Sequence, residues 1–275
     1  MAKHFFLPWQ GEFGCFITSF IRAVHTWPSE YKVVACRPGY ECLFPTANEF
    51  FFDYSQILPD RKKRGRSARP WVRKRLQDLE ASIRSRHPEY AAFEFVLPFM
   101  KYHCYRDTDV VTTRFRPVIA EQGLATDVVI TPRNRRYVAK RNLPFWQEIV
   151  DALKQEGYSV GIVGHPDTTV QLQNVDLLSW HHGDMEPSID LIRNSKIVLA
   201  QNTGVAHLCV FLAEPMLLML SSKGMLCWME AQRDPNVFFK TITPDPVIAV
   251  RESLAYLRNI DRERPTGTAN ENARY

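Results

Sequence analysis

The chain has 275 residues, enough for one or two domains. Its 45% apolar and 24% charged residues are normal for a soluble globular protein, and no apolar run reaches the roughly 18 residues of a membrane span. The net charge is +5, and the six cysteines (15, 36, 42, 104, 209, 227) sit mostly in apolar runs with no C-x-x-C pair. That pattern argues against a disulfide framework or zinc site and for reduced thiols in a cytoplasmic protein; no signal-peptide pattern opens the chain.

In chain order, residues 5–8 (FFLP) read as a first strand and 9–14 (WQGEFG) as a glycine-bearing turn. Residues 15–27 have helical spacing, with Phe16, Phe20, Ala23 and Val24 on one face. Residues 32–36 (KVVAC) form a second strand, 41–44 a short helix and 48–54 (NEFFFDY) a third strand. This alternation predicts a parallel sheet. Residues 61–86 are strongly basic, and helical after Pro70. They suit an anionic substrate, lipid headgroups or nucleic acid, or simply a solvated face. No RNA-module signature or basic–aromatic alternation accompanies them. Residues 93–97 are a further strand candidate. The polar stretch 105–123 fits a linker.

A second α/β run opens with strand 127–131 (DVVIT) and an arginine-rich loop at 132–142. A helix at 144–156 closes on Gly157. Strand 159–163 leads into the turn Gly164-His165-Pro166-Asp167. An edge strand is expected at 174–177, a helix at 187–194 and a buried strand at 197–200. The turn Gln201 to Gly204 leads to a buried helix at 205–213 and a strand at 216–220. A final helix is expected at 246–257, and residues 261–275 are expected to be disordered.

Three of these turns follow buried strands, and in open parallel sheets ligands bind outside the carboxyl ends of strands. The turns can therefore line one crevice. It would hold Arg133, Arg135 and Arg141, of which one or two should reach phosphate, together with Gly164, His165 and the turn Asn202-Thr203-Gly204. That last turn offers free amides at a helix N-terminus, with Gly204 keeping the approach open and Thr203 able to cap. It suits a diphosphate, or equally an ordinary capped crossover helix. His207 is either a ligand contact or a satisfied core histidine. The absence of G-x-G-x-x-G and of G-x-x-x-x-G-K-[ST] disfavours a dehydrogenase and a P-loop enzyme. His181 and His182 are adjacent and point apart, so neither a metal nor another cofactor is expected.

The order R-N-L-P-F-W helix, G-Y-S-V-G-I-V-G-H, S-I-D-L-I-R-N-S-K-I-V-L-A-Q-N-T-G-V-A-H-L resembles the carboxyl half of GT-B glycosyltransferases, nearest to the heptosyltransferase-like group that builds lipopolysaccharide. In that group Asp-Thr-Gly, two residues, His-Leu binds the sugar and diphosphate of the nucleotide sugar. Here the stretch reads Asn202-Thr203-Gly204-Val205-Ala206-His207-Leu208. Gly11-Glu12-Phe13-Gly14 and K-V-V-A-C-R-P-G-Y resemble the acceptor-side domain. The resemblance covers residues 5–54 and 127–220. It implies an α/β GT-B fold of two Rossmann-like domains with a cleft, 1–118 on the acceptor side and 119–260 on the donor side. It also implies that the helix from Pro246 packs back toward the amino half.

The implied activity is inverting, metal-independent sugar transfer from a nucleotide-sugar donor to a glycan, lipid-linked or other hydroxyl acceptor. Residues 61–86 are open to peripheral contact with an anionic membrane, and nucleic acid is not expected as a partner. The family's base is an Asp directly after the loop glycine, where this chain has Cys15. Glu12, between Gly11 and Gly14, is the candidate replacement, with a pKa raised by partial burial. The plain alternative for Glu12 is a helix-start charge that complements the dipole. Competing functions are a nucleotide-sugar epimerase or hydrolase on the same fold, and a non-enzymatic nucleic-acid binder.

Overall fold

The computed structural model describes residues 2–9, 13–54, 70–97, 123–134, 142–180, 183–220, 229 and 233–263. Expectations for Gly11, Glu12, Arg135, Arg141, His181, His182, residues 61–69, the linker 105–122 and the tail from 264 lie outside the described residues.

The first sheet has four parallel strands: β1 (Lys3–Phe6), β2 (Tyr31–Ala35), β3 (Glu49–Phe51) and β4 (Glu94–Val96). Their order is β3-β2-β1-β4, with Phe5 opposite both Val33 and Phe95. Helix α1 joins β1 to β2 in three pieces: an α-helical turn Phe13–Cys15, a π-helical run Phe16–Ile21 and an α-helical piece Arg22–Thr26. The expected regular helix missed the π run because apolar residues four apart fit either winding; such runs are frequent at functional sites. Helix α2 (Pro70–Arg86) buries Val72, Leu76, Leu79 and Ile83 against the outer face of this sheet, where Phe5, Val33 and Phe51 meet them. That stripe turns Arg73 and Lys74 to solvent.

The second sheet has six parallel strands: β5 (Val128–Thr131), β6 (Val160–Gly164), β7 (Leu177–Trp180), β8 (Ile197–Gln201), β9 (Met216–Met219) and β10 (Phe239–Ile242). Helices α3 (Trp146–Gln155), α4 (Glu186–Arg193), α5 (Gly204–Leu212) and α6 (Pro246–Glu263) cover it. The order β7-β6-β5-β8-β9-β10 is the doubly wound order of a dinucleotide-binding sheet. Each sheet reverses its winding beside its first strand, between β1 and β4 and between β5 and β8.

Four further points depart from expectation. The edge strand starts at Leu177, because Asn174 takes a left-handed backbone (φ 59°) and the Asp176 carboxylate accepts from Lys154 and the Val160 amide. Strand β10 was not expected; Lys240 and Thr241 interrupt its apolar character. Helix α6 packs on α3, β8 and β9 of its own domain rather than toward the amino half, since Ala249 and Leu257 join Trp146 and Ile149 in the core there. It also runs through Asp261, which the sequence placed in a disordered tail; Asp261 accepts from Lys196 Nζ at 2.7 Å and from the Tyr158 hydroxyl at 3.3 Å.

One apolar cluster is common to both domains. It joins Phe6, Phe16, Phe20 and Leu43 of the first to Val129, Met185, Leu208 and Phe211 of the second. No described helix is long and apolar enough to cross a membrane.

Candidate active site

Strand β8 is buried on both faces until Gln201, and Thr203 then breaks the chain into α5. Thr203 takes an extended backbone and its hydroxyl accepts from the Ala206 amide at 3.2 Å, the N-cap the sequence anticipated. The Gly204 and Val205 amides precede the first intrahelical bonds, so α5 opens with donors aimed at the carboxyl ends of the strands.

Strand β5 lies beside β8 at the winding reversal, with Thr131 opposite Ala200. The loop after β5 is held by antiparallel backbone bonds to residues 168–170: the Asn134 amide donates to the Thr168 carbonyl at 2.7 Å, and the Val170 amide to the Pro132 carbonyl at 3.3 Å. This sets Arg133 against the α5 turn, where its Nη1 donates to the Asn202 carbonyl at 3.1 Å.

Around this point four buried polar atoms have no hydrogen-bond partner among the described residues: Arg133 Nη2, Thr131 Oγ1, Gln201 Oε1 and His207 Nδ1. Thr131 and Gln201 are almost fully buried, at 2% and 4% exposure. By strand alternation Thr131 follows Val129 onto the face that α5 covers, while Gln201 follows Leu199 onto the opposite face. Native interiors leave few such atoms. Sequence reading missed Thr131 and Gln201; the signal was a polar residue closing each apolar strand.

The first domain meets the turn directly. Helices α1 and α5 run side by side from matching ends. A Cβ on Gly204 would collide with Phe13 Cδ1, and one on Gly14 would lie 2.8 Å from His207 Cδ2. Further along, fully buried Arg22 places its guanidinium 5.5 Å from the centre of the Phe211 ring. A ring from the other domain fills the space beside Gly204 where a Cβ would lie. Burial lowers the His207 pKa to about 4, so its imidazole is neutral at pH 7. A second seam joins the loops after β2 and β7. Gly39, at φ +82°, is so close to the Gly183 carbonyl that a Cβ would collide with it, and the Met185 amide donates to the Gly39 carbonyl at 2.8 Å.

The other sequence candidates are placed as follows. His165 caps the short 3-10 turn Pro166–Thr168, its Nδ1 accepting from the Asp167 amide at 3.2 Å. Gly164 makes room for the Thr169 hydroxyl, which donates to the His165 carbonyl at 2.7 Å. Gly14 and Gly204 come together with His207, Asn202 and Arg133; Gly164 and His165 belong to the neighbouring turn. Among the described residues no three His, Cys, Asp or Glu side chains are grouped to hold a metal. Cys36, Cys42 and Cys209 are buried free thiols, their pKa values pushed up by burial.

No protein-family model and no curated protein matches the chain. Solved structures do. The glycosyl transferase family 9 protein from Veillonella parvula DSM 2008 superposes with a TM-score of 0.56 over 96% of this chain and 99% of its own, at 11% identity. The E. coli ADP-heptose lps heptosyltransferase II gives 0.54 over 95% and 100%, at 14% identity. The fold is GT-B. The dodecameric iron-containing heptosyltransferase TibC, in complex with ADP-D-beta-D-heptose, gives 0.52 over 96% of this chain and 79% of its own, at 14% identity. At such identities the likeness is one of architecture, and activity has to be argued from the site. In this GT-B chain the two Rossmann-like domains face each other across the turns at Phe13 and Gly204.

Proposed function

We propose that the chain transfers a sugar from a nucleotide-sugar donor to an acceptor hydroxyl, with inversion and without a metal. The observation that carries this is the set of unpartnered buried polar atoms at the carboxyl ends of β5 and β8, just after β5 and on the first turn of α5. They are the complement of a ligand that brings its own donors and acceptors. A diphosphate suits the Gly204 and Val205 amides and Arg133 Nη2. Hydroxyls of a ribose or sugar suit the Gln201 and Thr131 oxygens.

In the reaction the acceptor oxygen bonds to the anomeric carbon while the bond from that carbon to the phosphate oxygen breaks. Glu12 takes the acceptor's proton, and the nucleoside diphosphate leaves with the bonding electrons. Arg133 and the α5 amides stabilise the charge that develops on it. Glu12 immediately precedes Phe13, whose ring touches Gly204. The transferred group is a hexose or heptose. The acceptor is a glycan, a lipid-linked glycan or another hydroxyl compound, met in the cytoplasm with residues 61–86 against an anionic membrane.

A thermal-shift screen over nucleosides, nucleoside diphosphates and nucleotide sugars tests this, because a ligand that binds only the folded state raises its melting temperature by mass action. Nucleoside diphosphates and one nucleotide sugar should raise it, and phosphate-free nucleosides should not. A screen in which no nucleoside diphosphate or nucleotide sugar shifts the transition sinks the proposal. Free sugar or a C2 epimer formed without acceptor would move the activity to a hydrolase or epimerase.

A further inference from the structure

Arg133 and Thr169 stand opposite each other across a single antiparallel bridge. The backbone bonds flank the pair rather than join it: the Asn134 amide donates to the Thr168 carbonyl, and the Val170 amide to the Pro132 carbonyl. In such a non-hydrogen-bonded pair the α-carbons are only about 4.5 Å apart, and both side chains leave on the same side. One pair with two bonds is too short a ladder to hold its own register. Thr169 therefore needs an anchor of its own.

Its side chain supplies one. The Thr169 hydroxyl donates to the His165 carbonyl at 2.7 Å, and the same carbonyl accepts from the Thr168 amide at 3.0 Å. The hydroxyl fits beside Gly164, where a Cβ would collide with it. Thr169 is 7% exposed, and its one hydroxyl proton is committed to that carbonyl. The end of β6 is thereby tied through Thr169 to Arg133, whose Nη1 donates to the Asn202 carbonyl at 3.1 Å.

We propose, building on the assignment of Arg133 to the donor diphosphate, that Thr169 is the positioning residue for that arginine. Its hydroxyl locks the turn after β6, the turn holds the segment 132–134, and that segment sets the guanidinium against the α5 turn. A guanidinium binds phosphate through directed N–H groups, so a misplacement of about 1 Å weakens it.

The test uses the full chain, with inorganic pyrophosphate as the probe in titration calorimetry and the unliganded melting temperature recorded for every variant. Thr169→Val keeps the branched shape without the hydroxyl, and Thr169→Ser keeps the hydroxyl. Thr169→Val should weaken pyrophosphate binding roughly three- to tenfold, while Thr169→Ser stays within about twofold of the parent. In an Arg133→Leu background Thr169→Val should cause no further loss, because it acts through the missing guanidinium. Parental affinity in Thr169→Val overturns the proposal whatever its melting temperature, since a purely structural contact moves only the melt. A loss that persists undiminished in the Arg133→Leu background also overturns it. If that background binds too weakly to titrate, Thr169→Ser decides, and affinity there as low as in Thr169→Val overturns the role. If Thr169→Val has no cooperative melt, Thr169→Ala takes its place in each comparison. Parental affinity in Arg133→Leu alone removes Arg133 from the anion site and Thr169 with it. A parent chain that binds no pyrophosphate overturns the diphosphate site itself.

Discussion

The His207 imidazole of the second domain rests on the α-carbon of Gly14 in the first. A Cβ at position 14 would meet Cδ2 at 2.8 Å and Nε2 at 3.3 Å. Gly14→Ala should therefore overpack the seam and cost about 1–3 kcal/mol, read as a lower urea midpoint with an unchanged slope. A midpoint equal to the parent's would show that the ring relocates freely.

The pH dependence of stability should carry the mark of His207. Its folded pKa, about 4, lies below the ordinary value of 6.5. The unfolded chain therefore takes up a proton before the folded chain does. Stability from this group is complete above pH 6.5 and is lost as pH falls toward 4, by roughly 3 kcal/mol at most. Urea unfolding at a series of pH values should show the parent losing more stability across that window than His207→Gln. Parallel curves for the two proteins would contradict a buried neutral imidazole.

Gln201→Leu should act with opposite signs on the free and the liganded protein. The buried Oε1 has no partner among the described residues, so an apolar side chain of similar size removes an unmet acceptor. The free variant should be as stable as the parent or more so, by up to about 1–2 kcal/mol. The melting shift produced by a nucleotide sugar should shrink. A destabilised free variant would mean that Gln201 already has a partner.

Glu12→Gln keeps size and most hydrogen bonding but removes the basic carboxylate. Under the proposed mechanism the transfer rate falls about 10²–10⁴-fold. Donor affinity stays nearly constant, because the diphosphate contacts lie on the second domain. Cys15→Ala should cost far less, since a thiol is largely protonated near neutral pH. The reverse ranking in a steady-state assay would move the base away from Glu12.

Much of the architecture was legible because it follows from alternation of apolar strands and amphipathic helices. The Ile197 to Ala200 run followed by Thr203 announced a strand, a cap and a helix, and all three are present. The GT-B arrangement, carried by the stretch from Asn202 to Leu208, also holds. Thr131 and Gln201 were not legible as site residues. Their significance comes from burial without a partner, which depends on what surrounds them. Nor could the packing of Phe13 on Gly204 be read, because the two residues lie 191 positions apart. The π-helical run escaped for a local reason, since Phe16, Phe20 and Val24 repeat at a spacing that more than one helix geometry accepts.

The apolar cluster that joins Phe16 and Phe20 to Leu208 and Phe211 changes what the word domain means for this chain. The two sheets are separate, but the oil between them is shared. Cutting the chain between them would leave each half with a greasy wound in place of its inner wall. Calorimetry should accordingly record a single heat-absorption peak, with equal calorimetric and van't Hoff enthalpies. Chimeras that exchange one half with a distant relative will have to exchange the facing surfaces of α1 and α5 together.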